Sequence, residues 1–260
     1  MSSTLILLSF ALVNVVVTGL FAGVVLRQFA RRRRVYQLYW MIALLMAFFA
    51  TLSYVCMVVV GPTSGAGIVF FRLYYILGAA LAPSWLGLGS IALVTSARVT
   101  HISLVILSLL SVLAAVLITI TPLNMHNLSQ IAGTPGTGIL QFGIWLILTI
   151  TLNSLGVLAV VGVAVYSGWK LWRRSSNVAG FNPRNLLWAN VLILIGDALN
   201  AAAGTLARFF GLASSFWLIM AFGWIAFFIG VLLTSRRAVA LRPVNEIRNK
   251  SEMKGSTAQG

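Results

Sequence analysis

The chain has 260 residues, 60% of them hydrophobic and only 8% charged, a balance that excludes a water-facing globule and assigns most of the surface to lipid. Lys and Arg number 18 against 3 Asp and Glu, for a net charge of +15. The basic residues cap the ends of apolar runs instead of forming one face with interleaved aromatics, so no nucleic acid is expected as a partner. The single cysteine, Cys56, excludes an internal disulfide and a multi-cysteine metal site.

A hydrocarbon core about 30 Å thick needs roughly 20 apolar residues in an α-helix. Seven stretches meet that requirement, at residues 5–26, 36–60, 68–94, 102–120, 139–166, 186–206 and 212–233. The expected fold class is all-α: a polytopic seven-helix bundle over residues 1–235, followed by a basic, largely disordered tail over 236–260. Residues 1–4 carry no basic residue, so the first apolar run reads as a retained helix and not as a cleaved signal peptide. It contains Gly19 and Gly23 in a GxxxG spacing, which permits close helix contact, and runs into Arg31, Arg32, Arg33 and Arg34. Pro83 is predicted to kink the third span. The loop at 121–138 includes the run Gly133-Thr134-Pro135-Gly136-Thr137-Gly138 and should be irregular. The loop at 170–185 is broken by Gly180 and Pro183, and Trp217, Trp224 and Phe228 form a stripe typical of a helix core in the last span.

Threading the spans alternately through a bilayer places every Lys and Arg except Arg72 and Arg208 on one face, while loops 61–67 and 121–138 carry neither. By the positive-inside rule the N-terminus is outside and the C-terminus cytoplasmic. The expected localisation is a bacterial inner membrane, multi-pass, with anionic lipid headgroups as partners of the basic face.

Asp197 is the only acid in any span, the others being Glu246 and Glu252 of the tail. A carboxylate at mid-bilayer costs several kcal/mol unless it is hydrogen-bonded, protonated or beside water, so Asp197 should face the bundle interior. At 100° per residue, Asn190, Asp197, Gly204 and Arg208 share a narrow stripe, with Asn200 beside it. Arg208 lies about 16 Å along the axis from Asp197, too far to pair with it. Partners from other helices are Asn153, with Thr149 and Gly156 on its face, and Arg72, whose charge reaches inward to Asp197 or snorkels outward to headgroups. The cluster Asp197, Asn200, Asn190, Asn153 and Arg72 is thus interhelical glue, a ligand pocket, or a proton or ion path. His101 and His126 have no metal-ligand spacing with another His, Cys or carboxylate, so no metal is assigned. The only lysines, Lys170, Lys250 and Lys254, lie outside the last span and exclude a retinal Schiff base there. No catalytic acid, base and nucleophile set is present, so no enzyme and no cofactor are expected.

The stretch Phe70-Phe71-Arg72-Leu73-Tyr74-Tyr75-Ile76-Leu77-Gly78-Ala79-Ala80-Leu81-Ala82-Pro83-Ser84-Trp85-Leu86 resembles the third helix of the seven-transmembrane N-terminal sensor region of bacterial histidine kinases. The arginine run after the first helix, the short loop after the second and the long loop between the fourth and fifth fit the same pattern, so the resemblance covers roughly residues 5–240. It implies a sensory or signal-coupling module. In those kinases the seventh helix feeds an output domain, whereas here about 25 residues follow Ser235 and contain no histidine, so the expectation is a non-enzymatic module acting through a separate protein partner. A small transporter or lipid-handling protein, and a structural subunit of a membrane complex, are the alternatives; an unidentified small ligand belongs to the first two.

The charge asymmetry gives the first prediction. A reporter fused after Gly260 should be cytoplasmic, and a cysteine in place of Thr134 should react with an impermeant reagent from outside; reaction only after lysis would reverse the orientation.

Overall fold

The computed structural model describes residues 2–173 and 183–235, so the tail at 236–260 and the centre of the 170–185 loop lie outside the described residues. Seven helices among these residues are long and apolar enough to cross a membrane, and the chain is an all-α, multi-pass membrane protein. They are α1 (Ser2–Arg32), α2 (Val35–Val60), α3 (Gly65–Val94), α4 (Ala97–Ile120), α5 (Ile144–Arg173), α6 (Pro183–Phe209) and α7 (Phe216–Ser235). Backbone polar groups find no water in hydrocarbon, which forces each crossing segment to bond within itself as a helix.

The apolar surface is turned outward as well as inward. On α4, Ile102, Ile106, Leu109, Val112, Val116 and Ile120 are all exposed, a pattern that only a lipid environment satisfies. Aromatic and basic side chains share one end of the bundle: Arg173 lies 4.4 Å above the Trp169 ring, and Lys170 5.9 Å above that of Tyr166. These pairs suit a membrane–water interface, where a ring sits at headgroup level and the cation reaches water. We call this the basic end.

Helices α1, α2, α3, α5, α6 and α7 pack each against the next in that order, and α7 closes back on α1. Helix α4 stands outside this ring against α3 and α5. At the basic end α1 turns into α2 through Arg33, which adopts a left-handed φ of 51°. At the opposite end α2 turns into α3 through Gly61, and Ser64 caps α3 by accepting from the Gly67 N–H at 2.9 Å.

Helix α3 is continuous but not uniform. Its segment Tyr75–Leu81 is wound as a π-helix, and the Ala82 N–H reaches back five residues to the Leu77 carbonyl. The reason is Pro83, which lacks an N–H and whose ring would strike the carbonyl four residues earlier; widening the preceding turn accommodates both. The wide turn lies directly ahead of Pro83 within one continuous helical span.

Glycines set the closest helix contacts. A Cβ on Gly87 would sit 2.8 Å from Gly156 Cα, and one on Gly156 would fall 2.5 Å from the Pro83 carbonyl carbon, so α3 and α5 touch backbone to backbone. On the far side a Cβ on Gly196 would lie 2.6 Å from Phe227 N, and one on Gly230 2.9 Å from the Ala189 carbonyl oxygen, which locks α6 onto α7. Of the GxxxG pair in α1, Gly19 packs on Phe48, 3.1 Å from such a Cβ, while Gly23 has nothing within 4 Å.

Gly156→Val should therefore push α5 off α3 and lower stability by about 1–3 kcal/mol, the usual range for overpacking. Gly162→Val on the same helix, where nothing lies within 4 Å, is the control and should unfold like the native protein in a detergent thermal melt. Equal melting of both variants with the parent would show that this contact does not hold the bundle.

Candidate functional site

The loop at 121–138 is irregular over most of its length, as expected, and it packs down as a lid. It contains a short helix, Met125–Ser129, and a bridge between Leu123 and Leu140, and it buries Leu128, Ile131, Ile139 and Leu140 in the end of the bundle. Two tyrosines fasten it. Tyr54 Oη accepts from the Gly133 N–H at 2.8 Å and donates to the Ile131 carbonyl at 3.1 Å, while Tyr74 Oη donates to the Pro135 carbonyl at 3.2 Å. The glycines in the turn-rich run are required by conformation: Gly133, Gly136 and Gly138 have φ of 86°, 77° and 81°. Because the lid occupies residues up to 143, α5 begins at Ile144 and not at 139.

Below the lid lies a cavity of about 710 Å³, bounded by α2, α3, α5, α6 and α7. Its size falls in the range of roughly 300–1,000 Å³ typical of small-molecule sites. The sequence makes the space with small residues: Ala43, Ala47 and Ala50 on α2, Gly78, Ala79 and Ala82 on the wide turn of α3. Aromatic walls are supplied by Tyr74, Tyr75, Trp145, Phe216, Trp217 and Trp224. The Trp217 ring packs on Tyr54 with centroids 4.4 Å apart, so the lid's anchor is part of the cavity wall.

Asp197, Asn200, Asn153 and Thr149 all face this cavity, which confirms the interior orientation inferred for Asp197. Asp197 is 5% exposed, and its Oδ2, the Oδ1 of Asn200 and the Oγ1 of Thr149 have no hydrogen-bond partner among the described residues. The contrast with other intramembrane hydroxyls is informative. Thr18, Thr51, Ser90 and Ser111 each donate to the carbonyl one turn earlier, at 2.6, 2.8, 3.2 and 2.7 Å. Thr149 makes no such bond. Buried polar groups are nearly always satisfied; these three oxygens belong to α6 and α5, and buried atoms of Asn14, Gln37, Trp40, Asn190 and Trp217 also lack a partner among the described residues.

Two of the anticipated cluster members lie elsewhere. Arg72 neither reaches Asp197 nor snorkels free: its guanidinium donates to the carbonyls of Ile118, Thr119 and Thr121, capping α4 where the lid departs. The carbonyls left unpaired by the last turn of α4 attract a cation more strongly than does a carboxylate across the bundle. Asn190 shares a helix face with Asp197 but sits two turns nearer the basic end, beside Gly168 and outside the cavity. Arg208, too far from Asp197 to pair, lines the lid end of the cavity instead. Asn14 was missed altogether. It is fully buried, and its Nδ2 donates to the Phe10 and Trp217 carbonyls at 2.8 and 2.9 Å, tying α1 to α7.

The cavity is not closed all round. Its lining on α5 includes Ile150, Ser154 and Leu158, and on α6 Gly204, Thr205 and Phe209, all of them exposed on the bundle surface. The seam between α5 and α6 is therefore an opening onto the lipid face. At the basic end Arg32, Arg33 and Arg34 border a shallow recess with Tyr36, Ala92 and Leu93, suited to an anionic headgroup. No family model, no curated protein and no solved structure matches this chain.

Tyr54→Phe should release the lid. With a cysteine in place of Thr134, which is half-buried, labelling should speed up severalfold, while a cysteine in place of the exposed Ser129 should react at its original rate. Leaving the Gly133 N–H unpaired should also cost about 1–3 kcal/mol in a thermal melt, while the Ile131 carbonyl keeps its bond from the Thr134 N–H. An unchanged rate at position 134 would mean that the tyrosine does not hold the lid.

Proposed function

We propose that this chain is a non-enzymatic sensory module of a bacterial inner membrane. In this reading its intramembrane cavity receives a membrane-soluble ligand, and the basic, cytoplasmic end passes the signal to a separate protein partner. The observation that carries the reading is the lidded cavity with three unpaired oxygens and a side opening toward lipid. A protein that only needed glue between helices would pair those groups with each other. The resemblance of residues 70–86 to a histidine-kinase sensor helix supports the same reading, because that stretch supplies Tyr74, Tyr75, Gly78, Ala79, Ala82, Pro83 and Leu86 to the cavity.

The helix pairings supply a route for the signal. Gly196, Gly223 and Gly230 lock α6 to α7, whereas α5 is joined to α3 at Gly87 and Gly156. A ligand entering between α5 and α6 separates these two rigid pairs, and α7 carries the displacement toward the basic residues from Arg236 onward, outside the described residues. Shifts of about 1–2 Å are typical of such helix movements.

The test uses Gly204→Phe to fill the cavity; a Cβ there meets nothing within 4 Å, and Gly162→Phe on the lipid face is the control. Protein purified from its own membrane should carry a bound amphiphile by native mass spectrometry, lost in Gly204→Phe and retained in Gly162→Phe. Spin labels at Val35 and Leu187, both exposed at the basic end, should change separation when that amphiphile is extracted. Flux of the amphiphile across liposomes at a constant label distance would replace the sensor with a transporter, and no bound molecule in either form would remove the ligand site.

A further inference from the structure

The geometry points to an amine-headed, single-chain amphiphile as the class of ligand for this cavity, with its nitrogen at Asp197. The inference rests on the cavity being a ligand site, and goes beyond it by fixing the head group.

The polar atoms left without partners decide the chemistry. Asp197 and Thr149 line the chamber from α6 and α5, and Asp197 Oδ2 and Thr149 Oγ1 have no partner among the described residues, whereas Asn200 Oδ1 lies against Gly223 of α7. The acid is the group a ligand must answer, and a donor of opposite charge answers it best. An ammonium has three donors and a charge opposite to the carboxylate; a hydroxyl has one donor, and a carboxylate or phosphate has none. The amine also suits the carboxyl in either of its proton states, because a proton carried in on nitrogen and one moved from the carboxyl to nitrogen leave the same ion pair. Charge-assisted hydrogen bonds of this kind are the strong ones, and the aromatic walls Tyr74, Tyr75, Trp217 and Trp224 lower the local dielectric around them. Those rings add favourable faces for a cation within reach of the walls.

The opposite charge at the other end does not compete for the assignment. Arg208 lies about 16 Å from Asp197 along α6 and is half-buried beside Phe209 and Phe210, both largely exposed at the helix end. Arg208 is partly exposed there, which gives its charge access to the bundle surface. Asp197, at 5% exposure, has no such recourse, so the unmet demand sits at the acid. The unpaired indole N–H of Trp217 is a donor, but it belongs to the lid end of α7, one residue inside the helix start. The remaining wall is apolar and opens between Ile150, Leu158 and Phe209 onto lipid, the path and the resting place for an alkyl chain. The head therefore travels through the α5–α6 seam to Asn200 and Asp197 while the tail stays in or near the opening.

The experiment compares dodecylamine, dodecanol and dodecanoate on the whole protein in phosphatidylcholine nanodiscs, read by quenching of Trp fluorescence with brominated chains. Gly204→Phe supplies the background from partition into lipid. Dodecylamine should bind at least about tenfold more tightly than dodecanol, and dodecanoate should not exceed background. Asp197→Asn should bring dodecylamine down to the level of dodecanol, and a cooperative thermal melt of the variant in the same nanodiscs shows that it is folded. Tightest binding by dodecanoate, or dodecylamine binding indifferent to Asp197→Asn, would overturn the amine assignment and leave the cavity as a ligand site. Binding of none of the three above the Gly204→Phe background would overturn the ligand site itself.

Discussion

In a hydrocarbon solvent no polar group can borrow a hydrogen bond from water, and the rest of this structure depends on that constraint. It fixes the seven crossing segments as helices, sends most hydroxyls back onto their own helix, and gives Asn14 its double bond to Phe10 and Trp217. It also turns Arg72 to the frayed end of α4, where three carbonyls lack helical partners. Eight buried side-chain polar atoms among the described residues lack a partner, and four of them, on Asp197, Asn200, Thr149 and Trp217, belong to residues that line the cavity.

The chamber exists because α3 departs from regularity. A proline in mid-helix must be accommodated, and the seven-residue wide turn ahead of Pro83 does so without breaking the span. Widening swings Gly78, Ala79 and Ala82 along the cavity wall, where small side chains leave room. Immediately beyond, Gly87 meets Gly156 and draws α5 hard against α3 toward the basic end, so the space opens toward the lid. Pro83 and two glycines thereby determine both where the helices part and where they touch.

The sequence made the spans legible because hydrophobic length is a local property, and the charge asymmetry marked one end for the same reason. Asp197, Asn200 and Asn153 were also legible, since the cost of a polar side chain in lipid leaves it nowhere to point but inward. What escaped depends on pairs far apart in the chain. Tyr54 meets Gly133 across 79 positions and Arg72 meets Ile118 across 46, and no periodicity reports such a meeting. Glycine-rich composition marks an irregular loop but does not show that its left-handed glycines let the backbone turn tightly enough to seat Ile131 and Ile139 in the bundle. Asn190 illustrates the opposite error: a shared helix face places residues in line, but the cavity is only part of the helix long.

The lid and the seam together decide from which phase a ligand comes. Residues 121–143 seal the end of the ring with buried Leu128, Ile131, Ile139 and Leu140, and Pro135 and Thr137 form the roof of the cavity. An opening through that roof would require breaking the bonds to Tyr54 and Tyr74 and exposing those apolar side chains. The α5–α6 seam needs no such disruption, because the exposed residues along it are already solvated by lipid. A ligand dissolved in the bilayer is moreover concentrated at the protein surface and oriented along the helices before it enters. Helix α3 meets α5 and α7 meets α6 at glycine contacts, so a wedge in the proposed sensor would work between two closely packed pairs and not against either. In the proposed sensor, the seam that would admit the ligand is also the joint across which its presence would be felt.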